Sequence, residues 1–233
     1  MNSGFVIPPV EILCSLAIII FFAIGIHEYC HCKFADLAGD PTPRFYGRVT
    51  LNLFKHFDPL GTIMIAVSSI SGYGIGWGKP APINPSKMRN PRWDTFIAVA
   101  AGPLSNLLQA TLFGFLLRLS LASGSFSTED VFAALVRHHT NPLAALFTIG
   151  VEINLALFLF NLIPFGILDG HWLVGQLLPE PQRLGWYRFN RQVGWQILVG
   201  IILIGQFTPF NPLGALLGKP LFFLFRLLTG IQL

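Results

Sequence analysis

Charged residues are scarce in this sequence: Lys, Arg, Asp and Glu make up 11% of the 233 residues, whereas hydrophobic residues make up 53%. An average soluble domain carries about 25% charged residues. This composition excludes a disordered chain and disfavours a soluble domain, so a membrane protein is expected. The net charge of +4 comes from basic residues in loops beside apolar runs, where they set membrane orientation. It does not indicate a nucleic-acid partner.

Cysteines and early basic residues are also few. The three cysteines, Cys14, Cys30 and Cys32, form neither a CxxC pair nor a disulfide framework. The first 32 residues contain no Lys or Arg, although a cleavable signal peptide needs a positively charged start. We therefore expect the first apolar run to be a permanent span. The sequence shows no internal repeat, which disfavours a transporter built from two related halves.

Long apolar runs indicate the fold class, because each membrane span takes about 20 residues. We predict an all-α polytopic membrane protein with five or six transmembrane helices, forming a single domain over residues 1–233. The helices of residues 192–231 are expected at its periphery. The apolar runs cover residues 6–26, 60–77, 95–117, 142–168 and 192–218, and the last of them is divided near Pro209.

The run of residues 60–77 is short and rich in glycine, which weakens a helix. The loops on either side, residues 31–59 and 78–92, carry four basic residues each. If this run crossed the membrane, these loops would lie on opposite sides, against the rule that basic loops stay in the cytoplasm. We therefore predict a re-entrant segment, with a full span as the alternative. The N-terminus is then outside and both loops are cytoplasmic.

The residues His27-Glu28-Tyr29-Cys30-His31 form the pattern HExxH at the cytoplasmic end of the first run. On a helix, residues four apart share a face, so both imidazoles can bind one Zn²⁺ while Glu28 reaches the attacking water. The alternative is a pair of core histidines beside a stray acid. This alternative is the weaker one, because ionisable groups that close an uncharged run must be paired, hydrated or metal-bound.

Asp169 offers the third protein ligand that a hydrolytic zinc site usually has. It follows the fourth apolar run, on the membrane side predicted for His31. Pro164 and Gly166 would end the helix and let the chain turn this carboxylate inward. Taken alone, Asp169 would more simply cap a short helix that begins at Gly170. Beside the HExxH pattern we favour the ligand.

The HExxH pattern and the NxxPxxxLDG pattern of residues 161–170 together resemble the site-2 protease family of intramembrane zinc metalloproteases. The resemblance extends over about residues 20–175, and it is to the short prokaryotic branch without PDZ or CBS domains. Further stretches that carry it are GDP at 39–41, GRVTLN at 47–52, DPLG at 58–61, GKPAPINP at 78–85 and AGPLSN at 101–106.

This resemblance implies a zinc endopeptidase that cuts transmembrane protein substrates in or near the lipid bilayer, with its site toward the cytoplasm of a prokaryotic cell. It implies one Zn²⁺ per chain, bound by His27, His31 and Asp169, with Glu28 as the general base. It also implies that Asn106 faces the site and hydrogen-bonds the substrate backbone or the developing oxyanion. Helix–helix packing is the alternative for Asn106.

Two other functions stay open. One is a catalytically silent homologue that binds transmembrane partners, and loss of peptide cleavage on removing the general base would separate it from an enzyme. The other is an ion or proton transporter that uses the histidines and Glu152, an acid inside the fourth run. Zinc content separates this transporter from the other two functions.

Several polar residues lack a settled role in the sequence. Glu152 departs from the family pattern, and we expect it to face a water-filled cavity or to pair with Arg118 or Arg137 near the outer surface. His56 and Asp58 lie in a cytoplasmic loop, where we expect them to be solvated. The mouth of the substrate cleft is the alternative for both.

Overall fold

A computed structural model describes residues 7–58, 61 and 78–232, and its regular structure is helical throughout these ranges, which confirms the predicted all-α class. A π-helical turn covers Asn190–Gly194, and short 3₁₀ turns cover Leu53–His56 and Pro85–Lys87. The predicted re-entrant segment lies outside the described residues, apart from Gly61. The helices are α1 (Val10–Leu37), α2 (Thr42–Phe45), α3 (Pro91–Ala122), α4 (Thr128–Leu135), α5 (Pro142–Asn161), α6 (Asp169–Leu177), α7 (Gln182–Phe189), α8 (Trp195–Phe207) and α9 (Pro212–Thr229).

Four of the described helices, α1, α3, α5 and α9, are long and apolar enough to cross a membrane. The helix α8 is apolar but has 13 residues, which is short for a span on its own. The predicted division of the last apolar run is confirmed, since α8 ends at Phe207 and α9 begins at Pro212. The chain is therefore a polytopic helical membrane protein.

Three of these long helices begin in the same way, with Asn at the N-cap and Pro at the first helical position. The side chains of Asn90, Asn141 and Asn211 accept hydrogen bonds from backbone N–H groups of the first turn, and Pro has no N–H that needs a partner. Inside a membrane-embedded protein, unpaired backbone groups at helix ends are costly. The Asn-Pro pairs therefore fix where α3, α5 and α9 start.

The core forms where α1, α3, α5 and α9 meet. One apolar cluster joins α1 to α5 through Ile12, Ile19 and Ile149, and small residues let helices approach closely. At Gly150, an added Cβ would lie 2.5 Å from the ring of Phe113 on α3. A second cluster joins α3, α4, α5 and α9; its fully buried large side chains are Leu117, Val131, Val151, Leu155 and Phe225.

The helix α5 ends at Asn161, and Gly166 then adopts a positive φ of 72°, which favours glycine. This turn leads the chain back to Asp169, as the sequence predicts from Pro164 and Gly166. Buried Asn190, in the π-helical turn before α8, braces this turn by accepting a hydrogen bond from the N–H of Gly166 (3.2 Å). The peripheral position of the helices of residues 192–231 stays a prediction. Leu198 of α8 packs in one cluster with Ile163 and Leu168, which lie on either side of this turn.

The intramembrane acid Glu152 pairs with Arg137, whose Nη2 lies 2.8 Å from the carboxylate Oε2. This is one of the two partners expected from the sequence. Arg137 follows α4 with a positive φ of 60°, so its backbone turns the chain at the start of the connection to α5. Glu152 is thus neutralised by Arg137, and it does not line the cavity beside the residues of the HExxH pattern.

Candidate metal centre

The two histidines of α1 and the first residue of α6 converge at one point. His27 Nε2 and His31 Nε2 lie 2.9 Å apart, and Asp169 Oδ2 lies 3.2 and 3.3 Å from them. Tetrahedral zinc with bonds of about 2.0–2.1 Å separates its ligand atoms by about 3.3 Å. Within the described part of the chain, this is the one group of three or more His, Cys, Asp and Glu residues close enough to hold a metal ion.

Hydrogen bonds on the far side of each imidazole fix which nitrogen faces the centre. His27 Nδ1 lies 2.7 Å from Asn106 Oδ1, and His31 Nδ1 lies 2.9 Å from the carbonyl oxygen of Ala98. Both oxygens can only accept, so each Nδ1 carries a hydrogen, and in the neutral imidazole each Nε2 then keeps a lone pair. Three unprotonated acceptor atoms therefore face one another in a buried place. A cation satisfies all three, and zinc suits this donor set.

The helix α3 approaches α1 closely at the centre because it presents small residues there. Ala98 and Gly102 lie one turn apart beside the histidines, and Asn106 follows one turn later. A Cβ added at Gly102 would lie 2.3 Å from His31 Nε2 and 2.8 Å from His27 Nε2. A larger residue at this position would occupy the space in which the ligand atoms meet.

Glu28 lies next to this centre and lines the same cavity of about 290 Å³ as His27, His31 and Asp169. Its Oε2 is buried and has no hydrogen-bond partner. The Oε1 atom faces the segment that begins at Gly78, where an added Cβ would lie 3.3 Å away. The remaining lining residues are mostly apolar and include Ile24, Pro80, Ala81, Ile83, Val99, Leu157, Phe160, Ile167 and Trp172. The carboxylate of Glu28 thus lines a cavity whose other walls are mostly apolar.

Asn106 lies behind His27 and is not among the residues that line the cavity. It is fully buried, and its Nδ2 donates to the carbonyl of Ala23 (3.1 Å) and to Asn154 Oδ1 (3.0 Å). No N–H of this amide is left for a substrate carbonyl or an oxyanion in this arrangement. The catalytic role assigned to Asn106 from the sequence stays a prediction, and its contacts favour a place behind the ligand.

A buried arginine holds the segment that faces Glu28. Arg48 is 4% exposed, and its Nη2 donates to the carbonyl of Lys79 (2.6 Å). The same atom lies 3.4 Å from His56 Nδ1, and His56 Nε2 lies 3.0 Å from the carbonyl of Thr50. The expectation that His56 is solvated is wrong, because this histidine is 0% exposed. The sequence offers little indication of this burial, because Arg48, which contacts His56, lies eight residues away in an irregular loop.

Burial lowers the pKa of His56, and the neighbouring Arg48 guanidinium lowers it further. The unfolded chain therefore binds this proton more readily, so stability is lost as the pH falls below about 6.5. We expect the unfolding temperature in detergent to drop between pH 7 and pH 5, and to drop less in His56→Gln. Burial also lowers the pKa of His171, but both proteins keep this residue. Equal pH slopes in the two proteins would contradict the prediction.

Comparison with known proteins identifies the family of the chain. The sequence model of peptidase family M50 matches residues 15–205, a range that includes His27, His31 and Asp169. The curated protein named putative zinc metalloprotease YwhC, from Bacillus subtilis (strain 168), is 37% identical over 175 residues, which are 75% of this chain and 74% of YwhC. No solved structure gives a significant match. Because the matched range covers most of the sequence together with all three candidate ligands, the chain belongs to peptidase family M50, the site-2 protease family that its motifs resemble.

Proposed function

We propose that this protein is an intramembrane zinc metalloendopeptidase, which hydrolyses peptide bonds in or near the transmembrane segments of other membrane proteins. The observation that carries the proposal is the meeting of three lone-pair atoms, on His27, His31 and Asp169, beside the partnerless carboxylate oxygen of Glu28. A purely structural cluster would not leave a buried carboxylate oxygen free next to three acceptors. The membership of family M50 supports the same activity.

The residues of the centre have separate parts in the reaction. His27, His31 and Asp169 would hold one Zn²⁺, which supplies Lewis-acid activation of water and of the scissile carbonyl. Glu28 accepts the proton of the attacking water at its carboxylate and passes it to the leaving amine. The Nδ1 contacts of the histidines keep their Nε2 atoms directed at the centre.

The place of the centre supports a substrate that comes from the bilayer. Both histidines lie on α1, one of the helices able to span a membrane, and apolar side chains line the cavity around them. A helical substrate hides its carbonyls in hydrogen bonds along the helix, so it must unwind before it can be cut. We therefore propose substrates with helix-breaking residues near the cut. The basic loops favour a site that opens to the cytoplasm, and the resemblance to the short prokaryotic branch favours a prokaryotic cell membrane.

Removal of the metal tests the proposal. The purified protein in detergent is incubated with a reporter whose transmembrane segment contains a Gly-Pro break, before chelation, after chelation and after return of Zn²⁺. We expect cleavage to stop on chelation and to return with Zn²⁺ but not with Mg²⁺, because nitrogen ligands suit zinc. Cleavage that persists in zinc-free protein would sink the proposal. One bound Zn²⁺ per chain without any cleavage would favour the silent homologue.

A further inference from the structure

Two buried amides form a chain of hydrogen bonds behind His27, and it continues away from the cavity into α5. We propose that Asn154 positions Asn106, and that Asn106 in turn positions His27, so that this pair sets the tautomer and ring orientation with which His27 meets the metal. The inference rests on the proposed zinc function. It adds a positioning role for a residue of α5 that none of the sequence motifs includes.

Every hydrogen-bonding group of the Asn106 amide has a partner. Its Oδ1 faces His27 Nδ1 at 2.7 Å, and its Nδ2 faces two oxygens, the carbonyl of Ala23 at 3.1 Å and Asn154 Oδ1 at 3.0 Å. If the amide were turned over, its oxygen would face two oxygens, the carbonyl of Ala23 and Asn154 Oδ1. Asn106 is therefore locked with its oxygen toward His27.

Asn154 is itself locked by its own helix. Its Nδ2 donates to the carbonyl of Gly150, one turn earlier on α5, at 2.9 Å, which leaves Oδ1 directed at Asn106. Asn154 is 0% exposed and lines neither the cavity nor the surface. A buried amide in a membrane-spanning helix is retained when it has a specific partner. The partner here is the residue behind a metal ligand.

The two histidines differ in how they are held. His31 Nδ1 donates to the backbone carbonyl of Ala98, which the helix α3 fixes by itself. His27 instead depends on a side chain, and that side chain needs Asn154 to stay in one orientation. Without the pair, the ring of His27 is free to rotate or to carry its hydrogen on Nε2, where it would face the metal. Loss of such outer contacts typically weakens metal affinity by about 10- to 100-fold.

Zinc affinity in detergent tests the inference through four variants: Asn106→Leu, Asn154→Leu, their combination, and Thr148→Val as the matched control. Thr148 is also 0% exposed on α5, and its hydroxyl has no hydrogen-bond partner. Competition with a chromophoric chelator gives the Kd for Zn²⁺, and the visible spectrum of the Co²⁺-loaded protein reports the ligand geometry. The unfolding temperature of each metal-free variant checks the fold.

We expect Asn106→Leu to weaken zinc binding about 10- to 100-fold. Asn154→Leu should weaken it by a smaller factor and change the Co²⁺ spectrum in the same direction. The combined variant should be no weaker than Asn106→Leu, because Asn154 acts through Asn106. Thr148→Val should keep the wild-type Kd and spectrum.

Two outcomes would overturn the inference. One is an Asn154→Leu protein with the same Kd and spectrum as Thr148→Val. If Asn106→Leu fails to fold, this comparison is sufficient to test the inference. The other is a combined variant whose loss is the product of the two single losses, since the residues would then act independently. A wild-type protein without zinc would remove the proposed function as well. If the wild type binds zinc and every variant binds it with the same affinity, only the positioning role is removed.

Discussion

Gly102→Ala is expected to abolish zinc binding and, with it, any peptide cleavage. The added methyl group would lie 2.3 Å from His31 Nε2 and 2.8 Å from His27 Nε2, where no carbon atom fits. Both imidazoles are held from behind, so neither can retreat without breaking a buried hydrogen bond. Ala favours a helix over Gly by about 1 kcal/mol, so α3 itself is not expected to unfold. The substitution therefore acts on the metal centre.

Zinc content of the purified protein checks this result, with cleavage of the reporter measured in parallel. Gly200→Ala on α8 is the matched control, because an added Cβ meets nothing within 4 Å at that position. This control should keep one Zn²⁺ per chain and the wild-type rate. A Gly102→Ala protein that retains full zinc would show that the two helices separate readily at the centre, contrary to the close packing described.

Glu28→Gln is expected to lower the cleavage rate by about 10²- to 10⁴-fold, the usual contribution of general acid–base catalysis, while zinc stays bound. The amide has nearly the same shape as the carboxylate but cannot take up the proton of the attacking water. Glu28 supplies none of the three atoms that meet at the centre, so we expect zinc affinity to stay unchanged. Single-turnover cleavage and zinc content measure the two effects separately.

Glu152→Gln is the control for this second prediction. It removes another acid from the membrane region, but that acid pairs with Arg137 and does not line the cavity. Its cleavage rate should match the wild type. If Glu28→Gln cleaved as fast as Glu152→Gln, the role of Glu28 as general base would be wrong, and the three-ligand centre would need another base.

The residues that the sequence predicts well are those whose partners follow from local geometry. His27 and His31 share a helix face because they are four residues apart, and Pro164 with Gly166 breaks the helix before Asp169. The structure brings these three side chains together within 3.3 Å. The ligand assignments themselves stay predictions until a metal is measured.

The residues that the sequence misses depend on partners far along the chain. In the sequence, Asn154 is a polar residue in an apolar run. Its positioning role is indicated only by the fold, which brings Asn106 of α3 within 3.0 Å. His56 reads as a loop residue, although Arg48 and the segment at Lys79 enclose it. Side-chain pairs between distant elements leave no periodic pattern, so composition and spacing cannot reveal them.

The brace of Gly166 by Asn190 also orders events during synthesis. The histidines of α1 leave the ribosome long before Asp169, and the π-helical turn that begins at Asn190 follows later still. A growing chain thus inserts its first spans while the segment at Gly166 lacks its anchor. The turn that leads to Asp169 acquires this brace only after Asn190 has been synthesised.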